Sequence, residues 1–487
     1  MAKIQIGAAL GPWEWLGDVY DGNTLTLVSK SATKAVYKDA EGDRIVLTGT
    51  GLTYTGNFAT GGTVTGARFV NQAGDDYLTL TNGNFAAASV FAEVKDKDIF
   101  GLFTVLTSGN DNITGSVKGD DLLIGRNAGN DTIRGLGGDD FIKGSGGNNT
   151  MNGGKGFDVL SYEETNWDTA ATKGVVVDLT VGTVENSWGG VDTISNFEEL
   201  RGSKFADTFL GGENDDVFVG FQGKDKFRGR EGEDELRYHL DQKYGGNGGI
   251  DVDLRENRIV DGFGKLDNVD GIERISGTYF NDVFRGNGAD NTFKGLSGKD
   301  SYNGRSGSDT LSFDWWEDLG QKGVVVDFRR ATGNIRDDGF GNVETANNIE
   351  NVEGSRLADD ITLGSSDGWA SGGRGDDRLV AGAGQNWLAG NAGADTFVFL
   401  SIAKSPTATP DSISDFSQGQ ADKIDVSKVA SFEFIGTAEF SGTGPELAYK
   451  IINDETIING DTDGDGESNF TVVIQKAVNL QESDFLL

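Results

Sequence analysis

Residues 135–161 repeat with a period of nine. Gly135-Leu-Gly-Gly-Asp-Asp-Phe-Ile-Lys143 is one copy of a unit G-x-x-G-x-D-x-φ-x, where φ is a large apolar residue. Gly144–Asn152 and Gly153–Ser161 follow in the same register. The polar column runs Asp131, Asp140, Asn149, Asp158, and the apolar column Ile133, Ile142, Met151, Leu160. A period this short leaves few folds, because each unit must be one small structural step that stacks on its neighbours. The glycines permit tight turns with positive φ and close backbone approach. The remaining x-φ-x makes a very short strand with one side chain pointing inward. Two such half-turns form a coil, and successive coils stack as parallel strands. A glycine-rich linker would hold no fixed aspartate and apolar register.

The aspartate of each turn, together with glycine carbonyls, faces the turn stacked upon it. Calcium takes several carboxylate and carbonyl oxygens in a tolerant geometry, which a groove between stacked turns supplies. The candidate ligands fall in four blocks. The first carries Asp111, Asp121, Asp131, Asp140, Asn149 and Asp158, with two initial steps of ten residues. The second carries Asp207, Asp216, Asp225 and Asp234, with Phe209, Phe218, Phe227 and Leu236 inward. The third carries Asp282, Asn291, Asp300 and Asp309, with Phe284, Phe293, Tyr302 and Leu311 inward. The fourth carries Asp359, Asp377, Asn386 and Asp395, with Gly368 where an aspartate is expected. Asparagine at 149, 291 and 386 offers a neutral oxygen and weaker sites. Because turns on one edge are two repeats apart, sites need paired turns, and on the order of ten ions are expected.

A longer repeat joins the blocks. Val175-Val-Val-Asp-Leu179 recurs as Ile250-Asp-Val-Asp-Leu254 and Val324-Val-Val-Asp-Phe328. Glu198-Glu-Leu-Arg-Gly-Ser203 recurs as Glu273-Arg-Ile-Ser-Gly-Thr278 and Glu350-Asn-Val-Glu-Gly-Ser355, at offsets of 74–77 residues. These inserts are expected to continue the solenoid with wider coils.

The nonapeptides resemble the "repeats in toxin" (RTX, hemolysin-type) units of proteins exported by bacterial type I secretion. That resemblance implies a parallel β-roll with calcium in its turns. After Asp395-Thr-Phe-Val-Phe399 come Ser412-Ile-Ser-Asp-Phe416, Asp422-Lys-Ile-Asp-Val426, Gly460-Asp-Thr-Asp-Gly-Asp-Gly466 and a terminal Asp484-Phe-Leu-Leu487. This succession resembles the C-terminal domain of serralysin-type secreted proteases, and implies a β-rich cap carrying an uncleaved secretion signal. Asp461, Asp463 and Asp465 have the spacing that opens an EF-hand loop. The twelfth position is Val472, so the bidentate glutamate is missing and weak or no calcium binding is expected.

Residues 1–107 lack the nonapeptide. Alternating runs at Thr24–Val28, Ala35–Tyr37, Arg44–Thr48, Gly62–Gly66 and Tyr77–Thr81 read as hairpins of a β domain. The spacing of Phe85–Leu106 predicts a helix that caps the open end of the roll. The expected fold is all-β: an N-terminal β domain (1–107), a calcium-binding parallel β-roll (108–398) and a C-terminal β-rich capping and secretion domain (399–487).

Composition narrows function. Asp and Glu total 77 against 42 Lys and Arg, a net charge of −35, which opposes nucleic acid and anionic membranes as partners. The absence of cysteine excludes disulfides and thiolate metal sites. No signal peptide and no membrane-spanning apolar run is read. The single histidine, His239, excludes the HExxH zinc site that serralysins carry, and it is expected on a surface turn. No G-x-S-x-G elbow or phosphate-cradling loop is present. Aromatic–acidic clusters at Tyr162–Asp168, Tyr238–Tyr244 and Asp314–Asp318 read first as module junctions, and second as saccharide platforms. Trp13 and Trp15 read as core residues.

The expectation is a secreted, non-catalytic, calcium-binding structural or adhesive protein of the bacterial surface. Its partners would be calcium, the type I export apparatus, and either further copies of itself in a layer or matrix or surface polysaccharide. The alternative is a polysaccharide-binding or polysaccharide-modifying enzyme on the same scaffold.

Overall fold

The computed structural model describes residues 2–7, 24–97, 99–122, 129–314, 322–401 and 407–487. Trp13, Trp15 and residues 315–318 of the third aromatic–acidic cluster lie outside them. The chain divides into two compact units, residues 1–237 with 265–272, and residues 238–264 with 273–487.

The first unit opens with an antiparallel sheet. Thr26–Lys30, Lys34–Lys38, Arg44–Thr55, Phe58–Val70 and Asp76–Thr81 pair in succession. Alternation buries Ala35, Tyr37, Ile45, Leu47, Phe69, Leu78 and Leu80 on one face. The predicted helix is two helices, Ala87–Asp96 and Ile99–Leu106. Lys97 ends the first in a left-handed conformation, with φ of 62°. That helix packs on strand Phe58–Val70, and its Phe91 meets Tyr37 edge-on. The strand stacked on the first rung of the roll is instead Ala2–Ile6, parallel to Asp111–Thr114 and antiparallel to Asp76–Thr81. A strand meets the open N–H and C=O groups of a sheet edge, which a helix cannot do.

The roll that follows has two faces of three-residue strands. On one, Asp111–Thr114, Thr132–Arg134, Thr150–Asn152 and Val191–Ser195 pair in parallel. On the other, Phe141–Lys143, Val159–Ser161, Glu199–Arg201, Val217–Val219 and Glu235–Arg237 do so. The apolar column fills the space between: Ile133, Ile142, Met151, Leu160, Phe209, Phe218 and Phe227 are buried. Phe209 stacks on Phe227 two repeats away, with ring centroids 5.1 Å apart.

The inserts do not simply widen the coil. Val176–Asp178 turns back on Thr183–Glu185, and that strand turns again onto Val191–Ser195, both pairs antiparallel. Four residues, 179–182, separate the first two strands, enough for a hairpin and too few for the crossover that a parallel return needs. Parallel stacking then resumes from Val176–Asp178 to Thr208–Leu210. The other face, through Glu199–Arg201, is uninterrupted.

The second unit repeats this plan. Its inward column stacks Phe284 on Tyr302 at 5.1 Å. Val325–Asp327 forms the equivalent hairpin with Ile335–Asp337. Parallel stacking runs past residue 398: Asp411–Ile413 lies on Asn386–Ala392, and Lys423–Asp425 on Thr396–Val398. Phe470–Ile474 and Phe485–Leu486 add the next rungs, so the two middle residues of the DFLL ending form a strand of the roll. No helix among the described residues is long and apolar enough to cross a membrane.

Candidate metal centre

Each turn aspartate sits just before its short strand, and its side chain folds inward beneath the turn. Almost all are buried to within a few per cent. One carboxylate oxygen has the same partner throughout, the backbone N–H of the equivalent residue one coil earlier. Asp111 N donates to Asp131 Oδ1 at 2.8 Å, Asp131 N to Asn149 Oδ1 at 3.0 Å, and Asp140 N to Asp158 Oδ1 at 2.8 Å. The ladder continues as Asp207 N to Asp225 Oδ1 and Asp216 N to Asp234 Oδ1, both 2.8 Å. In the second unit it runs Asp282 N to Asp300 Oδ1, Asn291 N to Asp309 Oδ1 and Asp359 N to Asp377 Oδ1 at 2.8 Å, then Asp377 N to Asp395 Oδ1 at 2.9 Å.

The second oxygen separates the sites into classes. Oδ2 of Asp111, Asp131, Asp140, Asp158, Asp309 and Asp377 is buried and accepts no hydrogen bond. An ionised oxygen in that condition is costly unless a cation meets it. In such turns the free oxygen also lies beside a carbonyl oxygen at a glycine. A Cβ built on Gly135 would collide with Asp140 Oδ2 and the carbonyl oxygen of Gly153, and one on Gly304 with Asp309 Oδ2 and the carbonyl oxygen of Asn348. Carboxylate and carbonyl oxygens therefore converge on a glycine face, a donor set of the kind that calcium takes.

Asp207, Asp282 and Asp359 are set differently. Each follows the Gly-Ser or Gly-Thr turn that ends an insert. Asp207 Oδ2 accepts Ser203 N and its Oδ1 accepts Ser203 Oγ, both at 2.7 Å; Thr278 and Ser355 treat Asp282 and Asp359 likewise. These carboxylates are already satisfied and serve as turn anchors. At Asp216, Oδ2 accepts Gly212 N at 2.7 Å. Asn386 donates its amide to Asp411 Oδ1, and Asn291 Oδ1 accepts Asn287 N.

The place expected for Asp121 belongs to Asp120. Asp121 pairs with Phe141, an outer strand position, and Leu122 pairs with the inward Ile142. Asp120 N donates to Asp140 Oδ1 at 2.8 Å, and Asp120 Oδ2 accepts Ser116 N. The two initial steps are therefore nine and eleven residues, not ten and ten. Two adjacent leucines, 122 and 123, fit the apolar column equally well as sequence; strand pairing selects the first.

Burial sets the electrostatics. It pushes the carboxyls of Asp131 and Asp140 up to about 7 and that of Asp377 to about 8, with neighbouring carboxylates adding to the rise and the ladder N–H opposing it. Asp111, Asp158, Asp309 and Asp395 rise to about 6 for the same first reason.

The ladder also recruits residues that the nonapeptide pattern misses. Asn149 N donates to Asp192 Oδ1, Asp158 N to Glu198 Oε2, Asp225 N to Asp267 Oδ1, Asp309 N to Glu350 Oε2 and Asp395 N to Asp422 Oδ1. Their signal is the tail D/E-x-φ-x without its glycines. A second column, one residue earlier, does similar work at the surface: Phe157 N donates to Asp139 Oδ1, and Ser308 N to Asp290 Oδ1. Its signal is the acidic doublet that ends many turns, as at Asp139-Asp140.

Elsewhere, His239 is half-buried in a turn. The carboxylates of Asp461, Asp463 and Asp465 gather within 4.8 Å, and Asp461 is held by Gly464 N and Gly466 N.

These turns define a calcium-binding β-roll. The model of the RTX calcium-binding nonapeptide repeat matches residues 126–160 and 201–236, and that of the peptidase M10 serralysin C-terminal domain matches residues 280–487. The chain is thus a secreted RTX protein, calcium-binding through its nonapeptides, with a serralysin-type C-terminal domain of type I secretion. No curated protein matches it. Among solved structures, it is similar to the AlgE6R3 subunit of the Azotobacter vinelandii mannuronan C5-epimerase, at 28% identity over 26% of this chain and 70% of that one, with a TM-score of 0.21. It is also similar to the extracellular lipase LipA of Serratia marcescens, at 11% identity over 95% and 85%, with a TM-score of 0.16. Likenesses this low carry no conclusion about function.

Proposed function

We propose that this protein is a non-catalytic structural or adhesive component of the bacterial surface, which folds on meeting extracellular calcium and assembles into a layer or matrix. The carrying observation is where its acidic side chains are spent. Carboxylates throughout both units are buried in one repeated ladder, each holding a backbone N–H, and among the described residues those of Asp111, Asp131, Asp140, Asp158, Asp309 and Asp377 keep a second oxygen that no donor meets. Before calcium is met, −35 of charge keeps the chain expanded and exportable. Bound calcium supplies the positive charge that lets buried carboxylates stay ionised. The carboxylates then order the glycine turns, and each ordered turn presents a template for the next.

Sedimentation velocity with calcium chelated and then restored to the millimolar range, followed by electron microscopy, tests the reading. Compaction followed by ordered calcium-dependent assemblies supports it. A strict monomer at high protein and calcium concentrations refutes the layer.

A polysaccharide-binding role is the second reading. It is favoured by Trp369 and Trp387, side by side on neighbouring strands with Trp387 41% exposed, and by Trp167, 51% exposed. Glycan-array binding lost on Trp387→Ala would move the weight to it.

A further inference from the structure

The first insert encloses a cleft. The hairpin turn after Val176–Asp178, the chain that leaves Val191–Ser195 and the nonapeptide turn before Val217–Val219 bound a space of about 430 Å³. Small-molecule sites commonly measure about 300–1,000 Å³. Leu179, Ile194 and Phe197 give the cleft an apolar side, and Asn196, Glu198 and Asp216 a polar one. None of the residues lining it is basic. Arg230, on a neighbouring turn, is held by the Gly211 carbonyl oxygen at 3.0 Å and lies 3.9 Å from Asp178.

The insert also interrupts the ladder at this point. Glu198 and Asp216 are neighbours on adjacent coils, because Glu199 pairs with Val217 in parallel register. By the rule of the other turns, Glu198 N would donate to Asp216 Oδ1. It donates instead to the Asp158 carbonyl oxygen at 3.0 Å, while Glu198 Oε2 accepts Asp158 N at 2.7 Å. Asp216 Oδ2 accepts Gly212 N. Its Oδ1 is therefore left without a donor among the described residues, in a residue that lines the cleft and is only 6% exposed. Glu198 Oε1 accepts no hydrogen bond either. Burial, then the charges of Asp215 and Glu198, raise the Asp216 carboxyl above its ordinary range against the pull of the Gly212 N–H. A buried carboxylate oxygen in that state is costly until a donor reaches it.

The third insert has the equivalent cleft, smaller at about 230 Å³. There Phe328 stands in place of Leu179 and Gly368 in place of Asp216, and Arg330 joins the lining. Glu350 remains, but the second carboxylate is gone.

We propose that the cleft of the first insert binds one unit of an extracellular glycan, a neutral or amine-bearing sugar, through Glu198 and Asp216. The two free carboxylate oxygens are acceptors, so the ligand must bring donors, which sugar hydroxyls and ammonium groups are. The C–H face of a sugar ring packs against Leu179, Ile194 and Phe197. Acidic sugars are repelled by the pair and by Glu213 beside it. A single calcium ion would leave most of the space unfilled. The inference rests on the adhesive reading and gives it a site, separate from the tryptophan surface around Trp387.

The test is isothermal titration calorimetry of the full calcium-loaded chain with cellotriose, chitotriose, the glucosamine trimer and trigalacturonate. A neutral or amino trisaccharide is expected to bind at one site per chain, and trigalacturonate not to bind. Asp216→Asn keeps an acceptor for Gly212 N and removes the charge. Glu213→Lys, at an exposed position outside the ladder, sets an ammonium beside the pair. Each should weaken binding about tenfold or more, with wild-type circular dichroism at saturating calcium, while Trp387→Ala should leave it unchanged. Calcium-dependent assemblies from a chain that binds no neutral or amino trisaccharide overturn the cleft and leave the surface reading intact. A strict monomer that binds none overturns both. Binding unchanged in Asp216→Asn and Glu213→Lys, or equal for trigalacturonate, refutes the site, as does binding abolished by Trp387→Ala alone.

Discussion

Without calcium, protons should substitute for it, and the roll should gain stability as pH falls. The buried carboxyls of the calcium-free fold have raised pKa values: Asp282 at about 7 and Asp377 at about 8, burial being the first cause in each. The unfolded chain holds the same groups near 3.9. A carboxyl whose folded value lies above its unfolded one stabilises the fold fully below the unfolded value, and that contribution is lost as pH rises through the folded value. For Asp282, the fold therefore gains about 3 kcal/mol between pH 8 and pH 5. A few such groups in one unit match the whole stability of an ordinary domain, about 5–15 kcal/mol. The assay is far-UV circular dichroism and sedimentation velocity in chelator, stepped from pH 8 to pH 5, just above the isoelectric point of 4.3. The expected result is an expanded chain at pH 8 that acquires strand signal and compacts by pH 5. At saturating calcium, the same change of pH should weaken the fold, because protons compete for the ligand oxygens. A calcium-free chain equally folded at pH 8 and pH 5 would refute the claim that buried carboxylates control folding.

Three substitutions test the turn chemistry. Asp140→Asn keeps an acceptor for Asp120 N but removes the charge, so the calcium midpoint of folding should rise, while Asp140→Ala also strands that N–H and should cost about 1–3 kcal/mol more; calcium titrations followed by circular dichroism separate the two. Gly135→Ala places a methyl group against Asp140 Oδ2 and the Gly153 carbonyl oxygen, and should raise the calcium midpoint more than Gly288→Ala, where a Cβ meets nothing within 4 Å. Phe218→Ala empties a fully buried position beside Phe209 and should cost about 3–5 kcal/mol in denaturant unfolding at saturating calcium, with little change in calcium stoichiometry.

The sequence by itself determined the repeating unit, its glycine turns, the inward column and the identity of the ion, because a nine-residue period allows one structural step and places one oxygen-rich residue in each turn. It also showed that the inserts recur. It did not show that they reverse direction, since a run such as Val175-Val-Val-Asp-Leu179 suits a parallel or an antiparallel neighbour equally well. The sequence reading took Asp121 where the structure has Asp120 for a similar reason: adjacent leucines fit one column, and only pairing with Phe141 and Ile142 chooses between them. The tertiary structure alone decided which carboxylates still need a cation. Asp140 and Asp207 sit at the same repeat position, yet Asp207 receives Ser203 N and Oγ whereas Asp140 Oδ2 receives nothing. A residue's need for a metal depends on how many donors reach its oxygens, and those donors come from positions about 4 to 30 residues away that meet it only in the folded chain.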